Sequence, residues 1–188
     1  HLFDFLIFLI LYIVGGIAIT MGYHRYFSHR TYECPPVLQA IYLFASLISL
    51  QSSALLWASD HRAHHKHVDR EGDPYNIRKG VLWAHIGWML VRRDGPHDFS
   101  NVPDLLKNRL VMLQHRHYMP LALAMCFGLP FLIGLAFGRP WGGLLWGGLF
   151  RVVVAHHTTW LINSAAHYLG TRPYSDKVSA RDNWFLSL

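Results

Sequence analysis

The chain has 188 residues, of which 52% are apolar and only 15% charged, whereas soluble domains carry roughly 25% charged residues. The apolar residues are blocked into long runs, which excludes an ordinary soluble domain and predicts an all-α integral membrane helix bundle. The net charge of +6 does not mark a nucleic-acid partner, because all of the 17 Lys and Arg except Arg139 and Arg151 lie in polar stretches beside groups of histidines.

Leu2 to Gly22 is apolar and would extend roughly 31 Å as a helix, enough to cross the hydrocarbon core. It delivers His24 and His29 to the membrane surface, and Asp4 lies at its far end, where a charge reaches the opposite interface at modest cost. Val37 to Trp57 is a second apolar stretch behind the helix-start signal Pro35-Pro36. If His24 and His29 share a site with the histidines after Trp57, this stretch cannot cross the bilayer, so it is predicted to be buried or interfacial.

Asp60-His61-Arg62-Ala63-His64-His65 follows, with three imidazoles at i, i+3 and i+4 on one helical face. Residues 67–80 are polar, with a turn at Asp73-Pro74. Val81 to Val91 is too short to span and, with its tryptophans and the following Arg92-Arg93, suits the interface. His85 within it reads as an isolated core or interface histidine. Asp104 to Lys107 reads as a short surface helix. Tyr118 to Gly138 and Trp141 to Ile162 form a transmembrane hairpin around Gly138-Arg139-Pro140, returning the chain to its original side.

That makes about three crossings, with Asn163 and His167 on the side of the other histidines. Arg151 should face the bundle interior or snorkel, and His156 and His157 suit interhelical hydrogen bonds. Positive residues gather on the cytoplasmic face, so the helical cap that carries the histidines is predicted to be cytoplasmic. Cys34 and Cys126 stand in no CxxC pattern and read as free thiols. With His1 as its first residue, the chain reads as an excerpt of a longer protein.

His24, His29, His61, His64, His65 and His167 are thus six candidate ligands with no thiolate among them. A structural zinc site closes with four ligands and usually includes thiolates, so a two-metal site fits better. Imidazole suits iron, zinc or copper, and composition does not choose among them. Breaking an unactivated C–H bond, however, needs an oxidant that no side chain supplies, which favours oxygen activated on iron beside a membrane cavity.

Three sequence groups, His24-Arg25-Tyr26-Phe27-Ser28-His29, Trp57-Ala58-Ser59-Asp60-His61-Arg62-Ala63-His64-His65 and Asn163-Ser164-Ala165-Ala166-His167, occur in that order. With Asp73-Pro74 and Gly87-Trp88, they resemble the stearoyl-CoA desaturase family of membrane acyl-lipid Δ9 desaturases, from about Gly15 to Leu188. The resemblance implies a di-iron centre with nine histidine ligands and an asparagine acting through water. It implies O₂-dependent removal of two hydrogens from a saturated acyl-CoA or acyl-lipid, with electrons from a cytochrome b5-like or ferredoxin-like donor. The setting would be a bacterial inner membrane or the endoplasmic reticulum.

Position by position, the six histidines match iron ligands and Asn163 the water-bridged position. Trp57 and Thr159 match residues that bend the acyl tunnel, Trp160 one near the acyl head, and Asp60, Arg92 and Arg93 the mouth where the carrier docks. Ser59 stands where animal members carry an arginine, which leaves the carrier open. The family has one more helix ahead of Leu2 and a further HxxHH box beyond the segment at Ser179 to Phe185. The expectation is therefore a single membrane desaturase domain over 1–188, incomplete at both ends and inactive alone. Two other functions suit the residues: a histidine-rich membrane hydroxylase with the same irons, or a membrane metal transporter or sensor.

Overall fold

The computed structural model describes residues 1–91, 95–173 and 176–185. Among them the chain is helical, with no strand and a single isolated antiparallel bridge between Thr171 and Asp182. The helices are α1 (Leu2–Ser28), α2 (Pro36–Ser49), α3 (Ala54–His67), α4 (81–90), α5 (Pro103–Leu106), α6 (Arg109–Arg116), α7 (Tyr118–Ala136) and α8 (140–164). Two of them, α1 and α7, are long and apolar enough to cross a membrane, and the bent pair α2 and α3 raises the count to three if it forms one span. The all-α, integral membrane class read from the sequence is thereby met. The stretch expected as the return crossing is helical, as α8, but it is not among the helices apolar enough to cross a membrane, because Arg151, His156 and His157 lower its hydropathy.

Two boundaries differ from the sequence reading. Helix α1 continues to Ser28, so His24 lies inside a helix rather than just beyond its end. The stretch expected as one helix from Val37 to Trp57 is broken at residues 50–53 and turns through 84°. Leu50 and Ser52 take left-handed backbone angles there, φ 52° and 70°, a conformation that cannot continue a right-handed helix.

The chain divides into two compact units, residues 1–59 with 99–156 and residues 60–98 with 157–188. In the first, Tyr23, Phe27, Leu43, Leu55, Val102 and Val111 form the main apolar core, and Ile7, Leu11 and Ile48 form a smaller one. Gln114 is 2% exposed and ties this core together. Its Nε2 donates to Tyr23 Oη at 2.6 Å and Leu43 O at 2.8 Å, and its Oε1 accepts from Ala54 N at 2.9 Å, satisfying the first turn of α3.

Asp4, Arg139 and Arg151 all find partners in this unit. Arg139 donates to both carboxylate oxygens of Asp4, at 3.0 and 2.6 Å, the bidentate geometry in which arginine and carboxylate pair best. Arg151 faces the interior as expected, donating to Gly147 O at 2.6 Å and lying 3.3 Å from Cys126 Sγ. His156 Nε2 lies 3.1 Å from Leu50 O, an interhelical hydrogen bond at the break between α2 and α3.

In the second unit the buried polar groups are His64, Asp69, Asp73, Asn76 and Ser164, and the buried apolar groups are Tyr75, Ala84 and Trp160. The polar groups of the first turn after α3 bond to one another: Asn76 Nδ2 donates to Arg70 O at 2.8 Å, and its Oδ1 accepts from Arg78 N at 2.9 Å.

Candidate metal centre

In the first unit the candidate ligands are His24 and His29, five residues apart. In an α-helix five residues advance by ~500°, leaving the two side chains ~140° apart. The last part of α1, Ala18–Ser28, is instead a π-helix, and His29 N donates to His24 O at 3.1 Å in the i to i+5 pattern. The wider turn brings the rings together edge to face, with centroids 4.6 Å apart and ligand nitrogens within 4.8 Å. Trp57 lies edge-on to His24, with ring centroids 6.2 Å apart.

In the second unit His61, His64 and His65 leave the last two turns of α3. His61 and His65, one turn apart, bring their Nε2 atoms within 3.1 Å. His64 packs against His65 at 5.5 Å between centroids and against His167 at 5.7 Å, although these two lie on separate segments of the chain. The unit thus holds four imidazoles whose rings adjoin one another.

His64 is buried and its Nδ1 lies 2.8 Å from Asp73 Oδ1. A carboxylate only accepts, so Nδ1 carries a proton; in the neutral ring the lone pair is then on Nε2, which is what a divalent metal needs from imidazole. Burial alone would raise the Asp73 carboxyl. The hydrogen bond from His64, with those from the backbone N–H groups of Tyr75 and Asp69, outweighs that and holds it below the ordinary carboxylate value. Burial and the neighbouring His64 lower the pKa of His167 against the opposing pull of Asp69 and Asp73, favouring the neutral, ligating imidazole. On donor chemistry and tautomer, this cluster fits iron held by histidine.

The remaining positions divide as follows. Asp60 lies 3.7 Å from His97 Nε2. Thr159, Trp160 and Asn163 stand on α8, with Trp160 8% exposed and Asn163 half-buried. Arg92 and Arg93 lie outside the described residues. His85 is not isolated: its Nδ1 is 3.0 Å from Ser164 Oγ, its Nε2 is 3.0 Å from His157 Nδ1, and its ring stands edge-on to Trp160.

Sequence reasoning missed Asp69, Asp73 and Ser179 as partners of the candidate ligands His64 and His167. The two carboxylates follow the third motif histidine within a turn or two and were open to notice. Ser179, 12 residues beyond His167 and 110 beyond Asp69, gave no such signal.

An all-α membrane protein with histidine groups at helix ends and carboxylate-backed imidazoles defines a class of membrane metalloprotein. The family is fixed by comparison: the fatty acid desaturase family model matches residues 3–188, and the chain belongs to that family. It is 40% identical over 190 residues to acyl-CoA desaturase 1 of Saccharomyces cerevisiae, covering 100% of this chain and 37% of the yeast protein. Stearoyl-CoA desaturase of Bos taurus is 38% identical, with 94% of this chain and 51% of the bovine protein covered. Delta(9)-fatty-acid desaturase fat-6 of Caenorhabditis elegans is 36% identical, with 95% and 55% covered. The chain spans about half the length of these relatives or less.

Proposed function

We propose that the protein containing residues 1–188 is an O₂-dependent fatty acyl desaturase that introduces a cis double bond, at the Δ9 position, into a saturated acyl-CoA or acyl-lipid. The observation that carries this reading is the adjoining quartet His61, His64, His65 and His167 in a member of the fatty acid desaturase family, with His64 fixed by Asp73 in the metal-binding tautomer. Residues 1–188 belong, in this reading, to a single membrane desaturase domain whose histidines face the cytoplasm. The names of the yeast and bovine relatives support acyl-CoA as the substrate class.

His24, His29, His61, His64, His65 and His167 would hold a pair of non-haem irons, with Asn163 acting through a water. When bound, the irons supply the oxidising chemistry with O₂ that no side chain offers. Overall one saturated C–C unit loses two hydrogens, and these, with two electrons delivered one at a time by a cytochrome b5-like or ferredoxin-like donor and two protons from solvent, reduce one O₂ to two waters.

The rest of the work falls to this chain's side chains. Asp73 keeps the His64 proton on Nδ1. Trp57 and Thr159 bend the acyl chain and Trp160 holds its head, so that one pair of methylenes is presented. Asp60, Arg92 and Arg93 dock the carrier, the arginines through its phosphates.

Incubation of the full-length protein with stearoyl-CoA, O₂ and a reduced donor, followed by mass spectrometry, tests the reading. The expected product is lighter by two hydrogens and cleaves at carbon nine on ozonolysis. A product heavier by one oxygen would make the protein a hydroxylase, and exchangeable zinc with no lipid product would make it a transporter or sensor.

A further inference from the structure

The buried carboxylates of the second unit do more than back one histidine each. Asp73 accepts from His64 Nδ1 on Oδ1 at 2.8 Å, and on Oδ2 from Asp69 N at 3.0 Å. Asp69 is itself 4% exposed and takes a left-handed backbone angle, φ 60°, which aspartate tolerates better than most non-glycine residues. Its carboxylate receives two bonds from a single distant residue: Ser179 N donates to Oδ2 at 2.6 Å and Ser179 Oγ to Oδ1 at 2.5 Å. Ser179 Oγ in turn lies 2.7 Å from His167 Nδ1.

Donor and acceptor counting fixes the protons along this path. A serine hydroxyl has one hydrogen, and the carboxylate of Asp69 can only accept, so that hydrogen lies on the Asp69 side. Ser179 Oγ must then accept from His167, which places the imidazole proton on Nδ1 and leaves the Nε2 lone pair free. The same tautomer was derived for His64 from Asp73. Two imidazoles 5.7 Å apart are thereby set in one sense by one hydrogen-bonded path, His64–Asp73–Asp69–Ser179–His167.

We infer that Asp69 and Ser179 are positioning residues for metal binding, acting with Asp73 as a single frame that holds His64 and His167 with Nε2 turned to the same iron site. This rests on the desaturase reading and adds to it a ligand-orienting role for two residues outside the histidine motifs. Ser179 N anchors the segment to Asp69 independently of the hydroxyl, so removing Oγ alone leaves that anchor and interrupts only the link to His167. Groups that orient a ligating histidine typically contribute about ten- to a hundredfold to metal affinity.

The test uses the full-length protein, purified and reconstituted with ferrous iron. Iron affinity is read by competition with a chelator, and the ligand field by the absorption of a cobalt(II)-substituted form. Ser179→Ala and Asp69→Asn are expected to weaken iron about ten- to a hundredfold and to shift the cobalt bands, with melting temperature near that of the parent. Ser179→Thr, which keeps a hydroxyl, should restore both. His64→Ala and His167→Ala are measured alongside.

Iron affinity and cobalt bands unchanged in Ser179→Ala, while the two histidine variants lose iron, would overturn the positioning role and leave the desaturase reading standing. Iron bound equally well without either histidine would overturn the desaturase reading itself. Loss of iron in Ser179→Thr as complete as in Ser179→Ala would likewise remove the claim that the hydroxyl is the operative group.

Discussion

The two units are held together by different physics. The first packs Tyr23, Phe27, Leu43, Leu55 and Val111 into an apolar core with Gln114 at its centre. Among the described residues of the second, the buried groups are chiefly polar, and the path from His64 through Asp73, Asp69 and Ser179 to His167 is made of directed hydrogen bonds. Apolar burial is roughly proportional to area and indifferent to direction, whereas a hydrogen bond works only within a narrow range of distance and angle. The first unit therefore gains stability from bulk, and the second gains orientation from chemistry. A site that must turn ring nitrogens toward a metal is better served by the second.

Substitutions sharpen that contrast. Phe27 is 1% exposed in the main core, and Phe27→Ala should cost about 3–5 kcal/mol, read as lowered unfolding stability in detergent, with no tautomer change in His64 or His167. A loss below 1 kcal/mol would show that the core is not what stabilises this unit. Gln114→Leu, close in size, strips Tyr23, Leu43 O and Ala54 N of their shared partner. It should cost about 1–3 kcal/mol per group left unpaired, read by the same unfolding and by faster amide exchange at Ala54.

In the second unit Tyr75 packs on His64 and Trp88, with centroids 5.2 and 4.7 Å away, but its side chain takes no part in the path described above. Tyr75→Leu should therefore remove about 0.5–1.5 kcal/mol of ring packing while iron affinity holds within about threefold. A tenfold loss of iron would mean that packing as well as hydrogen bonding aims His64. The smallest effect is expected at the ion pair of Arg30 and Asp104, whose arginine side chain is 60% exposed. Arg30→Ala should change stability by less than about 1 kcal/mol, and less still in high salt.

Spacing along one helix was readable directly. The i, i+3, i+4 pattern of His61, His64 and His65 put three rings on one face of α3, and the long apolar runs of α1 and α7 declared a membrane protein. The pair His24 and His29 was only half readable, since five-residue spacing separates side chains on an α-helix and the π-helical end of α1 brings them together. The break between α2 and α3 was not readable, because Leu50 and Ser52 are not residues that announce a left-handed turn.

By itself, then, the sequence determined the helical membrane class and the family, and it singled out the histidines proposed to bind metal, because these depend on hydropathy and on short regular spacing. Only the tertiary structure decided that His85 pairs with His157 and Ser164, and that Ser179 bonds to Asp69 across 110 residues of chain. Such partners are chosen by where folding sets down separate segments, and no local pattern of residue types carries that information.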